Sequence, residues 1–165
     1  MLPIYLRKEV YRTISTAMSD TSLAAILRLL RAQSFVETRI DPGLGAVHGL
    51  ALRELMFLMQ LDQAPANRLR RVDLAGRLNV SQSTVTRLAL PLEKTGFVKR
   101  EADPRDARVG YVVLTKAGRQ RVAEARATLD RQTEAIFRDR WTDKEIATLA
   151  SLLGRFTLAL PGDVT

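Results

Sequence analysis

A mainly helical fold with one small β element is the architecture that these 165 residues predict. Three observations carry it. Apolar residues recur at helical spacing along 20–39, 52–61, 116–140 and 146–160. Residues 74–94 read as two short helices meeting at a tight turn. Two runs of strand composition, 97–101 and 110–114, follow at once across a polar connector.

The elements can be justified in order. Ile4, Leu6, Val10 and Ile14 leave residues 1–18 open between a helical arm and a loosely ordered segment. Leu23, Ile26, Leu27 and Leu30, with Phe35 and Val36 further on, make one stripe of an amphipathic helix. Pro42 between Asp41 and Gly43, with Gly45 beyond, predicts the end of that helix, because neither proline nor glycine continues one cheaply. A second helix over 52–61 is dense in Met56, Phe57, Leu58 and Met59, and the methionines read as core. Residues 63–67 read as a loop.

Leu74, Ala75 and Leu78 form the apolar side of a short helix that Asn79 and Val80 break. Ser81 can cap the next helix with its hydroxyl, and Val80 and Val85 stand where a hydrophobic staple would fix the entry angle. Val85, Leu88 and Leu92 face inward at helical spacing. Pro91 removes one N–H and predicts a kink in the C-terminal half. Gly96 supplies a left-handed stop, with Phe97 folding back on the last turn. Residues 102–109 connect the two strands, with Pro104 in the turn and Arg105 and Arg108 near its tip. Thr115 can cap a long helix to about residue 140, with Val122, Ala125, Leu129 and Ile136 on one stripe. Thr142 and Glu145 make a capping box, with Trp141 and Ile146 placed for a staple. The last helix carries Leu149, Leu152, Leu153, Phe156 and Leu160, and Pro161 and Gly162 close it.

The chemistry on offer favours recognition over catalysis. A helix held across another by a short turn presents side chains to the major groove of DNA. The outward residues of the second helix suit that use: Ser81, Gln82, Ser83, Thr84, Thr86 and Arg87 all carry side chains that can hydrogen-bond to base edges or phosphates. The charge of +8 is uneven, since residues 68–108 hold ten Lys or Arg against five Asp or Glu, whereas residues 1–67 hold seven against six. That is the electrostatic footprint of a nucleic-acid binder or, taken alone, a solvated basic face.

Catalytic and metal-binding readings find little support. No cysteine is present, so disulfides, thiolate-bound zinc and thiol redox sensing are excluded within the chain. The single histidine, His48, reads as a satisfied loop or core residue. Nucleophile motifs, phosphate loops and zinc-protease motifs are missing, and Asp103 and Asp106 beside arginines read as braces of a turn. No apolar run approaches the ~20 residues of a membrane span, and the start lacks a signal-peptide core. A cytoplasmic protein without cofactor or metal is expected. The terminal helices carry more apolar surface than one small lobe can cover, which points to a partner surface.

The order LAGRLNVSQSTVTRL, LEKTGFVKRE, DPRDARVGYVVLTKAG resembles the winged helix-turn-helix of the MarR family of bacterial transcription regulators. The most specific part is Asp106-x-Arg108 in the wing, followed by Leu114-Thr115-x-x-Gly118 where the chain re-enters a helix. The likeness runs from about residue 20 to 160. It implies a mainly α fold with a small β-wing, a DNA-reading lobe and a helical dimerisation lobe. The expected segments are an N-terminal extension over 1–19, a dimerisation helix and linker over 20–47, the winged lobe over 48–115, and a linking helix and C-terminal dimerisation helix over 116–165.

The resemblance also implies roles and partners. Arg108 would enter the minor groove, Arg105 would lie nearby, Asp106 would hold the wing in shape, and residues 81–87 would occupy the major groove. Partners would be double-stranded DNA, a second copy of the chain, and a small aromatic or amphipathic effector bound where the lobes meet, near His48, Arg53 and Met56–Met59. Most members repress. A ligand-blind architectural or RNA-binding winged helix is the alternative.

Overall fold

The computed structural model describes residues 4–103 and 110–156, with side chains from Asp20 onward. Helix α1 (Ile4–His48) leads through a positive-φ Gly49 into α2 (Leu52–Asp62). A 3₁₀ turn (Pro65–Asn67), strand β1 (Arg68–Arg70) and helices α3 (Arg71–Leu78) and α4 (Gln82–Lys94) follow. Strands β2 (Val98–Ala102) and β3 (Gly110–Leu114) precede the helices α5 (Lys116–Phe137) and α6 (Asp143–Gly154).

The helix ends are written in local chemistry. Ser81 caps α4 by accepting from the Thr84 N–H, Thr115 caps α5 from the Gly118 N–H, and Thr142 with Glu145 forms the expected capping box on α6. At the end of α4, Gly96 adopts φ +74°, its N–H donates to the Glu93 carbonyl, and the Phe97 N–H donates to the Leu92 carbonyl at 2.9 Å. This is a Schellman motif, and it aims the chain directly into β2.

The expected β-ribbon is a three-stranded antiparallel sheet of order β1-β3-β2. Leu69 pairs with Val112 and Val98 with Leu114, and these four side chains face the core. Strand alternation then puts Arg68, Arg70, Tyr111, Lys99 and Glu101 on the other face. Leu55, Phe57, Leu58 and Leu61 of α2, Leu74 of α3 and Val85 of α4 are fully buried against the sheet side of this core. Each buried leucine resists truncation to alanine by about 2–5 kcal/mol. On α4 the fully buried residues are Val85, Ala89 and Leu92, with Leu88 only half-buried.

Several expectations need correction. Helix α1 does not stop at Pro42 but runs on to His48. Ile40 and Leu44 either side of Pro42 are buried in the core, and Gly43 lies so close to the Gln132 amide of α5 that a β-carbon would collide with it. Packing along α5 therefore offsets the missing N–H of Pro42. The same helix extends back to Ile4, while the side chains of Ile4, Leu6, Val10 and Ile14 lie outside the described residues. Met56 is half exposed and not core, whereas Met59 packs against the core. Helix α4 passes Pro91 as one helix, and the carbonyl of Pro91 accepts from the Thr95 N–H. Helix α5 ends at Phe137, and Trp141 beyond it stands edge-on to Phe137 at 5.8 Å. Pro104, Arg105, Asp106, Arg108, Leu160, Pro161 and Gly162 lie outside the described residues.

Candidate nucleic-acid interface

The helix pair α3–α4 is held by a turn without glycine. Asn79 sits in the left-handed region at φ 51°, its N–H donates to the Gly76 carbonyl, and the Val80 N–H donates to the Ala75 carbonyl. Asparagine tolerates this region better than other side chains. Ser81 then starts α4 in extended geometry.

The hydroxyl of Ser81 is committed to this start. It lies 3.2 Å from the Thr84 N–H donor nitrogen, 2.8 Å from Ser83 Oγ and 3.0 Å from Thr84 Oγ1. Thr86 donates its hydroxyl back to the Gln82 carbonyl at 3.1 Å. Of the six helix residues expected to face DNA, Ser81, Gln82, Ser83 and Arg87 are exposed, and Thr84 and Thr86 are half-buried. Gln82 and Arg87 thus keep the freest polar ends on the first two turns, and Ser83 is exposed with its hydroxyl bonded to Ser81. The acidic and basic wing residues expected beside them, Arg105, Asp106 and Arg108, lie outside the described residues.

The neck of the hairpin shows what the sequence reading missed. Tyr111 donates its hydroxyl to Asp103 Oδ2 at 3.2 Å and accepts from Arg70 Nε at 3.3 Å. Its ring carries Arg68 at 4.7 Å and Arg70 at 5.9 Å. These contacts join β1 and β3 to Asp103, just past the end of β2, and the bond to Tyr111 raises the pKa of the already cationic Arg70. Two other cations of the sheet are paired: Lys99 with Glu101 at 2.7 Å, and Arg100 with Glu93 of α4. The hydrogen bond from Lys99 lowers the pKa of Glu101. The pattern Arg-Leu-Arg at 68–70 hints at a strand, but three residues are too few to distinguish one from a loop.

Thr115 and Gly118 bind the hairpin to α5. Thr115 donates its hydroxyl to the Gly96 carbonyl at 2.7 Å, and its N–H bonds the Phe97 carbonyl at 3.0 Å. Gly118 lies against that same carbonyl, with no room for a β-carbon.

Away from the helix pair, His48 Nε2 lies 2.9 Å from Thr128 Oγ1, which also accepts from Arg131 at 3.1 Å. His48 is therefore a satisfied residue joining the end of α1 to α5. A cavity of about 500 Å³ opens between α1 and the end of α5, lined by Phe35, Arg39, Gln132, Ile136, Arg138 and Arg140 among others. His48, Arg53, Met56 and Met59, the region expected to hold an effector, do not line it. Arg39 stacks on Phe35 at 5.2 Å, and Gln132 Oε1 is buried without a hydrogen-bond partner. Among the described residues no cluster of His, Asp and Glu could hold a metal ion, and no single helix is long and apolar enough to cross a membrane.

Known proteins match this arrangement. The sequence pattern described as "MarR family" matches residues 50–109. The repressor YetL of Bacillus subtilis is 30% identical over 109 residues, 66% of this chain and 65% of YetL, so the chain spans just under two thirds of that relative's length. The uncharacterised regulator YxaD of the same organism is 30% identical over 105 residues, covering 63% of this chain and 71% of YxaD. Sco3205, a MarR family transcriptional regulator from Streptomyces coelicolor solved in complex with DNA, superposes with a TM-score of 0.77 at 23% identity, over 86% of this chain and 94% of its own. That likeness speaks to the fold, a winged helix-turn-helix. The relatives are regulators and not enzymes, and the capped α3–α4 pair and strand β2 fall within the matched residues. The chain belongs to the MarR family of transcription regulators.

Proposed function

We propose that the chain works in the cytoplasm as a homodimeric, ligand-responsive repressor on a pseudo-palindromic operator. The observation that carries DNA reading is α4: a helix with a fixed entry angle, whose first two turns offer Gln82, Ser83 and Arg87 to solvent. In this reading Ser81, Thr84 and Thr86 complete the major-groove set. Arg108 enters the flanking minor groove, Arg105 lies nearby, and Asp106 holds the wing. Residues 48–115 form the reading lobe, and 20–47 with 116–165 the assembly lobe behind an extension over 1–19.

Two apolar faces support the dimer. Leu23, Ile26, Leu27 and Leu30 are exposed along one stripe of α1, and Leu152, Leu153 and Phe156 are exposed on or just after α6. Burying such stripes against a second copy is the usual fate of apolar surface this large. Repression follows the named role of YetL. An effector fits the cavity between α1 and α5, where Phe35 and Ile136 offer apolar contact and Arg39, Arg138, Asp139 and Arg140 offer charged groups of both signs. This chemistry suits a small aromatic or amphipathic molecule.

The test begins with selection of bound fragments from genomic DNA. The expected operator is a pseudo-palindrome with half-sites about 10 bp apart, because a two-fold dimer needs both helices on one face of the duplex. Arg87→Ala should relax discrimination at particular base pairs at a cost of about 1–3 kcal/mol, whereas Arg108→Ala should weaken all sequences and lower the salt slope. Binding of RNA in preference to duplex DNA would overturn the reading.

A further inference from the structure

A cation between the helix pair and the hairpin neck has no partner among the described residues. Arg71 is the first residue of α3, is exposed, and forms no ion pair among the described residues. Its guanidinium lies along the bare backbone of Gly110, the first residue of β3. A β-carbon there would stand 3.4 Å from Arg71 Nε and 3.5 Å from its Nη2. The cations around it are occupied: Arg68 and Arg70 on Tyr111, Lys99 with Glu101, Arg100 with Glu93.

Helix stability does not explain the placement. A cation in the first turn opposes the helix dipole, whose positive end is there. Asp73 in the same turn suits the dipole, and Arg71 does not. A partner of opposite charge from outside the chain would resolve the conflict.

The geometry of groove recognition supplies one. Between a major groove filled by α4 and the neighbouring minor groove entered by the hairpin runs a single sugar–phosphate strand. A side chain that reaches from the helix pair to the hairpin neck faces that strand. We infer that Arg71 is a phosphate anchor, gripping the DNA backbone between the two reading elements and setting the register of both. This deepens the DNA-binding reading above and rests on it.

Phosphate contact is independent of sequence, so a mixed-sequence duplex serves as the probe. Affinity is measured over a salt series for wild type, Arg71→Gln, Arg71→Lys, and Arg126→Gln, which removes an exposed positive charge from α5 instead. Arg71→Gln should weaken binding at low salt and lower the slope of log affinity against log salt by about 0.9 per subunit. Arg71→Lys should restore most of the slope, and Arg126→Gln should leave it unchanged. Because Arg71 is exposed, its thermal midpoint should match wild type, which separates loss of contact from loss of fold. A wild-type slope in Arg71→Gln, or a lysine that restores nothing, overturns the anchor while leaving DNA binding intact. A wild-type protein without salt-dependent duplex binding overturns the DNA-binding reading, and the anchor with it.

Discussion

Gly118→Ala should destabilise this protein although it places a better helix former in a helix. On propensity alone the change favours α5 by about 1 kcal/mol. A β-carbon at 118, however, would fall well inside contact distance of the Phe97 carbonyl oxygen and 2.7 Å from Leu114 Cδ1. Carbon pairs settle at about 3.5–4.0 Å, so roughly 1 Å of separation has to be found. The oxygen cannot simply step aside, because it accepts from the Thr115 N–H at 3.0 Å and the Thr115 hydroxyl at 3.1 Å. Overpacking of this kind costs about 1–3 kcal/mol, and backbone as the obstacle favours the upper end. Weakening a hydrogen bond adds about 1 kcal/mol. After the propensity gain the net loss is about 2–3 kcal/mol, or roughly 4–12 °C in the melting midpoint for a chain of this size. Gly76→Ala is the matched control: Gly76 is helical in α3, its β-carbon would meet open space, and a gain of about 0.4–1 kcal/mol is expected. Thermal and urea unfolding at one fixed protein concentration decide the matter, since assembly shifts apparent stability. A Gly118→Ala protein as stable as wild type, or stabilised like Gly76→Ala, would refute the reasoning.

Ser81→Ala should cost about 1 kcal/mol by uncapping α4, read by urea unfolding, and should weaken DNA binding by letting the first turn fray. Tyr111→Phe keeps the ring between Arg68 and Arg70 but cuts the hydroxyl link to Asp103. Duplex affinity should fall severalfold with the melting midpoint nearly unchanged, and unchanged affinity would show that the link does not hold the hairpin. The Glu145 carboxyl is held below its ordinary value near 4.5, first by the Thr142 backbone N–H and then by the Thr142 hydroxyl. Its contribution is present in full above that value and is lost as pH falls through the lowered one. Melting midpoints below pH 4.5 should therefore drop less steeply for Glu145→Gln than for wild type. Leu152→Asp combined with Phe156→Asp should convert a sedimenting dimer into monomer, and an unaltered dimer would place the interface elsewhere.

What could be read from the sequence is what local chemistry decides. Ser81, Thr115 and Thr142 cap helices through bonds three residues away, and Gly96 stops α4 through bonds to its own last turn. These signals need no tertiary context. Pro42 misled because its outcome depends on Gln132, ninety residues on in the chain, and on a core that buries Ile40 and Leu44. Strand β1 is only hinted at for the same reason: Arg68–Arg70 is a strand because β3 lies beside it. At the candidate site the α4 residues were legible as an outward polar face. The partners of Tyr111 and the reach of Arg71 to Gly110 were not, since they exist only after β1, β2 and β3 come together.

Pro42 also has a mechanical consequence. Its ring leaves the Thr38 carbonyl without the usual helical donor, one turn from Arg39 and the cavity between α1 and α5. A missing rung of this kind is where a long helix bends most readily. From Pro42 back to Ile4 the helix extends about 57 Å at 1.5 Å per residue, so a deflection of only 5° sweeps the far end through roughly 5 Å. A molecule of modest size lodged beside the hinge would act on the short arm of a lever, and displacements too small to disturb the buried core would be magnified into a large movement at the tip.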